Sequence, residues 1–324
     1  MSHRWRPSAS REIVRLRATV LRNIRAFFDQ RGVLEVETPL LSSSSTTDPN
    51  LSSFGTHYNQ HDLYLNTSPE YCMKRLLAAF GEPIYQVCKS FRDDELGPNH
   101  NPEFTLLEWY RPGFDMFELM DELADLVQML VLHNELGDAR FQKIRYADVY
   151  QRAVGINPHA TTAEECRCRA IEHGLQLPVG LEDNIDEWLD WLLIERVMPS
   201  LPADSFTFIY DYPASQAALA KVYQNPQGDT VAARFELFCG QMELANGFDE
   251  LLDANEQRQR FERENAQRLS RGLRSSVIDE NLLAALAYGL PRCSGVALGL
   301  DRLLMLLSGT DALNQVLTFP FCRI

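Results

Sequence analysis

Apolar residues recur at helical spacing near the start of the chain, at Ile13, Leu16, Val20, Ile24 and Phe27, with Ser10 ahead of them and Gly32 behind. That spacing places the five side chains on one face of a helix. Ser10 offers a hydroxyl to the open amides of the first turn, and glycine ends the helix by accepting left-handed backbone. A second helix is predicted over EYCMKRLLAAF, opened by Ser68-Pro69-Glu70 and closed by Gly81. A serine cap, a proline at the first helical position and an acid in the first turn suffice for that shape. In EFTLLEWY the period changes to two: Phe104, Leu106, Glu108 and Tyr110 point to one face of a strand, and Thr105, Leu107 and Trp109 to the other. Glu108 then shares a face with two aromatic rings and a leucine, where an unpaired carboxylate is costly, so a cationic partner is expected there. FELFCGQMELANGFDEL, residues 235–251, predicts a hairpin with Glu236 and Glu243 seven residues apart. From about Tyr146 to Asp204 the chain is acidic, helical in pattern and unlike its flanks.

Between the strand that ends near Phe91 and the strand that begins near Glu103 lies a polar loop containing Arg92, Asp93, Asp94, His100 and Asn101. The plain alternative for this loop is a structural arginine–carboxylate pair in a hairpin. The chain carries 31 Lys and Arg against 45 Asp and Glu, a net charge of −14. Nucleic-acid binders rely on basic faces that neutralise phosphates, so the balance argues against an RNA partner and favours a basic amine or a lysine-rich protein surface. One local exception is residues 258–274, with Arg258, Arg260, Arg263, Arg268, Arg271 and Arg274; with Glu262 and Glu264 interleaved, it reads as a solvated helix face. Seven cysteines, an odd number, and no apolar N-terminal signal point to reduced thiols in the cytoplasm. Cys166 and Cys168 are too close for a zinc-type pair, and His57 and His61 lack cysteine partners at ligand spacing. No apolar run approaches the ~18 residues of a membrane span. SSSSTT at 42–47 reads as a flexible loop near a pocket rim.

Three segments in order resemble the signature motifs of the class II aminoacyl-tRNA synthetases, in the form found in lysyl-tRNA synthetase. RGVLEVETPLL (31–41) resembles motif 1, FRDDELGPNHNPEFTLLEWY (91–110) motif 2, and GVALGLDRLLMLL motif 3. The resemblance runs from roughly residue 11 to the C-terminus. It implies an α+β fold, a mainly antiparallel sheet flanked by helices, as one catalytic domain over 1–324 with a helical insertion at 146–204 and a homodimer built through motif 1. About ten residues precede the stretch of resemblance, too few for the anticodon-binding barrel that the family carries before motif 1. The resemblance further implies ATP and Mg²⁺ as cofactors. Arg92 would bridge the α-phosphate and the substrate carboxylate, which a planar guanidinium fork suits. Asp93, Asp94, His100, Asn101, Phe104, Glu236, Leu237, Gly299 and Arg302 complete the implied ATP site. Phe104 would stack on adenine, and Asp94 stands where the family has a glutamate. Arg302 would sit in a first helical turn, where the helix dipole disfavours a cation unless phosphate is present. Glu236 and Glu243 would hold Mg²⁺. For the amino acid it implies Ser68, Pro69, Glu70, Glu108, Tyr110, Glu243, Asn246, Glu250 and Ala297: Glu70 takes the amino group, Asn246 the carboxylate, and Glu250 with Tyr110 the ε-ammonium. Ser68 remains equally well explained as a helix cap.

Motif 3 departs from the family at one place: Gly295, Ala297 and Gly299 stand where three glycines alternate. One methyl in a close-fitting pocket shifts preference by about 1–3 kcal/mol. The missing barrel, the acidity and this alanine together resemble a branch of the family that modifies protein. That branch activates (R)-β-lysine and joins it to the ε-amine of a lysine on translation elongation factor P. Two other readings stay open: a minimal enzyme aminoacylating an RNA, and a non-catalytic regulatory paralogue. Arg92, Glu236, Glu243 and Arg302 standing together speak against the last.

Overall fold

The computed structural model describes residues 5–93, 96–178, 180–181 and 184–324. The chain divides into two compact units, residues 1–137 with 252–324, and residues 138–251. In chain order the first unit begins with α1 (Arg11–Asp29), β1 (Leu34–Glu35), β2 (Leu41–Ser42), β3 (Gly55–Tyr58), β4 (His61–Leu65), α2 (Glu70–Phe80), β5 (Ile84–Phe91), β6 (Glu103–Pro112) and α3 (Met116–His133). The second unit follows with β7 (Phe141–Arg145), α4 (Tyr146–Ala153), α5 (Ala163–Glu172), α6 (Ile185–Leu192), β8 (Phe206–Pro213), β9 (Val222–Gln224), β10 (Thr230–Cys239) and β11 (Met242–Asp249). The first unit is completed by α7 (Ala254–Ser270), α8 (Glu280–Gly289), β12 (Cys293–Gly299), α9 (Leu300–Ser308) and α10 (Leu313–Val316).

In the first unit, strands run in the order β1-β5-β6-β12, antiparallel except for the β1–β5 pair, and β2, β4 and β3 form a small antiparallel sheet. In the second, the order is β11-β10-β8-β7 with β9 beside β10, and β7–β8 is the one parallel pair. This is the α+β architecture, mostly antiparallel, that the motifs imply. Residues 146–204 contain α4, α5, α6 and a π-helical turn at Leu193–Val197. They pack Tyr146, Tyr150, Trp188 and Leu192 into a core with Ile209, Tyr212 and Phe238 of the strands. Among the described residues no helix is long and apolar enough to cross a membrane, and all seven cysteines are free thiols.

The helices that frame the first unit follow the sequence pattern closely. The Ser10 hydroxyl accepts the Ile13 amide at 3.3 Å, and α1 buries Val20, Ile24, Phe27 and Phe28. Gly32, with φ of +65°, turns the chain into β1. On α3, Asp115 and Glu118 exchange side-chain and backbone hydrogen bonds in a capping box that closes two open amides. Gly81 ends α2 in the left-handed region.

Candidate active site

Strand β6 lies between β5 and β12 with no register shift. Glu108 is paired with Gln86 on one side and Ala297 on the other, Tyr110 with Ile84 and Gly295, Leu106 with Cys88 and Gly299, and Phe104 with Ser90. Directly paired residues of an antiparallel ladder share a face. Phe104, Leu106, Glu108 and Tyr110 therefore form one surface, as their alternation predicts, and the Ala297 methyl stands next to Glu108. Glu108 is 2% exposed, and the Tyr110 hydroxyl donates to its Oε1 at 2.8 Å. Burial, and then the Glu108 charge, push the Cys88 thiol up to about 12. That thiol stays protonated at neutral pH and is chemically quiet.

Arg92 leaves β5 with its guanidinium carbon 5.0 Å from the centre of the Phe104 ring. Its amide donates to the Pro102 carbonyl at 2.9 Å, and the next amide, of Asp93, donates to the Ser52 carbonyl at 2.8 Å. Asp94 lies outside the described residues. Arg302 occupies the first turn of α9, capped by Gly299 as the motif implies, and its Nη2 donates to Nε2 of His100 at 2.9 Å. Two groups assigned to the triphosphate, one from the loop and one from the helix, thus meet. Asn101 is different: its amide nitrogen donates to the Glu103 carbonyl at 2.6 Å, and its oxygen accepts the Phe321 amide at 2.9 Å. Both groups are taken up by main chain, one two residues on and the other 220 positions away. Asp301, to which no motif drew attention, is buried, accepts the Thr105 amide at 2.7 Å and pairs with Arg17. It ties α1, β6 and α9 together; its one sequence signal is an acid directly before the motif arginine.

Helix α2 begins at Glu70 rather than at Pro69. Pro69 is the capping residue, and the Ser68 hydroxyl accepts the Glu70 amide at 3.3 Å. Glu70 carries an ion pair with Lys74 at 2.7 Å, and Lys74 is 2% exposed. The spacing of four along the helix is the available signal for this pair.

In the second unit, β10 and β11 form the expected hairpin, but with a register shift between Leu237 and Phe238. Phe238 faces Glu243 and Leu237 faces Ala245, so Leu244 is the extra residue of a β-bulge. The bulge sets Asn246 opposite Glu236. In an unbroken hairpin Ala245 would stand there and Asn246 would point to the other side. Glu236, Glu243 and Asn246 share one face as a result, with Phe248 and then Glu250 following in alternation. Leu237 lies on the other face, buried. Glu236 is buried and ion-paired with Arg234, whose guanidinium also lies 4.6 Å from the Tyr212 ring centre and donates to the Gln216 carbonyl at 2.9 Å. Burial pushes the Glu236 carboxyl up, Arg234 opposes, and the Glu243 charge pushes the same way as burial. Two nearby carboxylates with one guanidinium to offset them form a hard-oxygen donor set that fits Mg²⁺, which takes one or two carboxylates and completes its shell from phosphate and water. No group of three or more metal-ligating side chains gathers among the described residues.

Two surface expectations are corrected. The arginine-rich segment is not simply a solvated face. Arg258 pairs with Glu280, Arg260 is buried and pairs with Glu256, and Arg268 is buried with its hydrogen bonds directed to main-chain carbonyls. The serine-rich loop is not a flexible linker. The Ser44 hydroxyl donates to Asp279 at 2.8 Å, Thr47 is bonded to Glu264, and both are buried. In each case tertiary packing recruits polar side chains that composition alone assigns to solvent.

The family described as class II tRNA synthetases (D, K and N) matches residues 2–323. Among relatives, a protein of Salmonella paratyphi B named "Elongation factor P--(R)-beta-lysine ligase" is 46% identical over 325 residues, covering 98% of each chain. A protein of the same name from Proteus mirabilis is 47% identical over 325 residues, again 98% of each.

Proposed function

This chain belongs to the class II tRNA synthetases (D, K and N), and from that membership we propose that it is an AMP-forming ligase that activates (R)-β-lysine and transfers it to a lysine ε-amine of elongation factor P. The likeness over 98% of both chains to relatives of that name carries the reading. In the first step the amino-acid carboxylate attacks the α-phosphorus of ATP, forming the acyl-adenylate and releasing pyrophosphate. In the second, the neutral amine of the acceptor lysine attacks the activated carbonyl, the amide bond forms, the nitrogen gives up a proton, and AMP leaves.

Such chemistry needs positioning and charge stabilisation rather than a covalent intermediate on the protein. Arg92 grips the α-phosphate and the substrate carboxylate, with Asp93 next to it in the chain. Arg302 and His100 take the outer phosphates, Phe104 serves the adenine end, and Gly299 lets the nucleotide approach the backbone. The contact in which Arg302 donates to His100 supports this assignment, since it brings the loop imidazole to the helix N-terminus where phosphate is favoured. Glu236 and Glu243 would hold Mg²⁺, which when bound would offset phosphate charge, and Leu237 lies on the opposite face of the strand. For the amino acid, Glu70 with Ser68 and Pro69 receives the amino group, Asn246 the carboxylate, and Glu250, Glu108 and Tyr110 the distal ammonium. The Ala297 methyl fills space beside Glu108. That supports a substrate whose amino group lies one carbon further from its carboxylate.

We read the enzyme as a cytoplasmic homodimer. Exposed Leu34, Leu40 and Leu41 in the motif 1 segment support the dimer, because large apolar side chains gathered at a surface favour association. The net charge of −14, with most of the arginine-rich segment engaged internally, favours a protein acceptor over tRNA. The deciding experiment incubates the enzyme with ATP, Mg²⁺ and either lysine isomer, offering elongation factor P and bulk tRNA, and weighs both acceptors by mass spectrometry. A mass gain on the factor, larger with (R)-β-lysine, is expected. Loading of tRNA with none on the factor would overturn the reading.

A further inference from the structure

We propose that Arg268, on α7, is a positioning residue for ATP binding that acts through the Asp48–Ser52 turn on the main chain at Arg92 and Asp93. The inference rests on the reading above in which Arg92 binds ATP. Arg268 is 9% exposed. Its Nε donates to the Arg274 carbonyl at 2.9 Å, and its Nη1 to the carbonyls of Asp48 at 2.7 Å and Leu51 at 2.9 Å. All three hydrogen bonds of this buried guanidinium go to main-chain carbonyls. That arrangement fixes a loop geometry, because a planar fork with several donors sets where each carbonyl must lie.

The carbonyl of the next residue, Ser52, accepts the Asp93 amide at 2.8 Å in an isolated β-bridge. The Arg92 amide is held at 2.9 Å by Pro102, and the Phe91 amide at 2.9 Å by Asn66. Three consecutive residues of the ATP loop are therefore pinned, and the third pin is the turn that Arg268 holds. Around this axis the loop has further anchors on the same helix and beyond it. Thr47 bonds Glu264, Arg271 donates to the Asn50 side chain at 2.8 Å, and Ser44 bonds Asp279 at 2.8 Å. Asn265 and Ser276 exchange two hydrogen bonds at 3.1 and 2.7 Å, which fixes the segment leading out of α7. Arg268 is the member of this set whose bonds reach both sides of the turn that ends at Ser52.

A displacement of the Ser52 carbonyl by about 1 Å releases the Asp93 amide, and misplacements of that size cost as much as ~100-fold when they reach a reacting group. The test compares Arg268→Met, Arg268→Lys and, as an outer-rim control, Arg271→Ala, with Arg92→Ala run in parallel. Three quantities are measured: hydrogen exchange at the Asp93 amide, the KM for ATP, and the KM for lysine. For Arg268→Met the expected result is faster exchange at Asp93 and a KM for ATP raised about tenfold or more, with a smaller rise in the KM for lysine, whose carboxylate Arg92 also grips. Arg268→Lys, which keeps the charge but loses the fork, moves the same way to a smaller extent and decides the matter if the methionine variant does not fold. Arg271→Ala leaves all three near their starting values. Unchanged Asp93 exchange, or an unchanged KM for ATP in a folded Arg268 variant, overturns the inference provided that Arg92→Ala abolishes ATP use. If Arg92→Ala itself leaves ATP use intact, the reading of Arg92 has failed instead.

Discussion

The β5–β6–β12 strands of the first unit and the β10–β11 hairpin of the second carry comparable sets of site residues but deliver them by different means. On β6 the register is unbroken, so alternation puts Phe104, Leu106, Glu108 and Tyr110 on one face and sets Ala297 against Glu108. On β11 the extra residue Leu244 shifts the alternation, and Asn246 and Glu250 reach the face of Glu236 only because of it. The regular region is rigid and readable. The bulged region places more chemistry within fewer residues, at the cost of depending on one irregular position.

The sharpest way to break the comparison is to remove one working group from the regular region and leave its backbone intact. Arg92→Ala is expected to lower adenylate formation by about 10²–10³-fold, measured by pyrophosphate exchange, since a preorganised charge-stabilising donor is worth that much. Survival of exchange would mean that the loop does not hold the α-phosphate. In the bulged region the equivalent cut is to the group that the bulge brings round. Asn246→Ala removes the amide set opposite Glu236 and leaves the hairpin register as it is. Lysine affinity is expected to fall on the order of 100-fold, while the Arg92 loop still binds ATP. Calorimetric titration of each ligand separately checks this, and an unchanged lysine affinity would remove Asn246 from the site.

Ala297→Gly tests the fine grain of the regular region. With no register change, one methyl is removed beside Glu108, and the preference for (R)-β-lysine over lysine should fall by about tenfold. The ratio of kcat/KM for the two isomers reads this directly, and a constant ratio would show that the methyl does not shape selection.

The smallest effect concerns neither strand set but the loop anchor on α7. Burial pushes the Glu264 carboxyl from 4.5 up to about 7, with Asp48 pushing the same way and Thr47, Arg260 and Arg263 opposing. A carboxyl whose folded value is raised binds its proton more tightly in the folded state. Its contribution is therefore fully present below about 4.5 and is lost as pH rises toward 7. Glu264→Gln should flatten that decline, which thermal midpoints measured between pH 4.5 and 7 would reveal. An identical slope in the variant would rule out ionisation at this position.

Much of the regular region is legible in the amino-acid sequence, because a period of two over EFTLLEWY and a serine ahead of an apolar helical stripe are local signals. Glu236 and Glu243 are legible too, since seven residues across a two-residue turn keep both on one face with or without the bulge. Asn246 and Glu250 are identified by resemblance, but simple alternation assigns them to the wrong side. Lys74, Asp301, Arg234 and Arg268 leave at most a faint local signal, such as the spacing of Lys74 from Glu70. Each is a charged side chain that composition assigns to solvent and that tertiary packing buries against a partner: Glu70, Thr105 with Arg17, Glu236, and the carbonyls of the Asp48–Leu51 turn. Asn101 shows the converse, a motif residue whose amide is taken up by neighbouring backbone.

The sequence by itself determined the helices, the alternating strand, the order of the three motifs and hence the α+β class, because periodicity and capping act over a few residues and need no distant partner. Only the tertiary structure decided which charges are buried, which loop is anchored, and where the hairpin is bulged. Those outcomes depend on desolvation, on partners as many as 284 positions away such as Arg17 and Asp301, and on a register that no local pattern records.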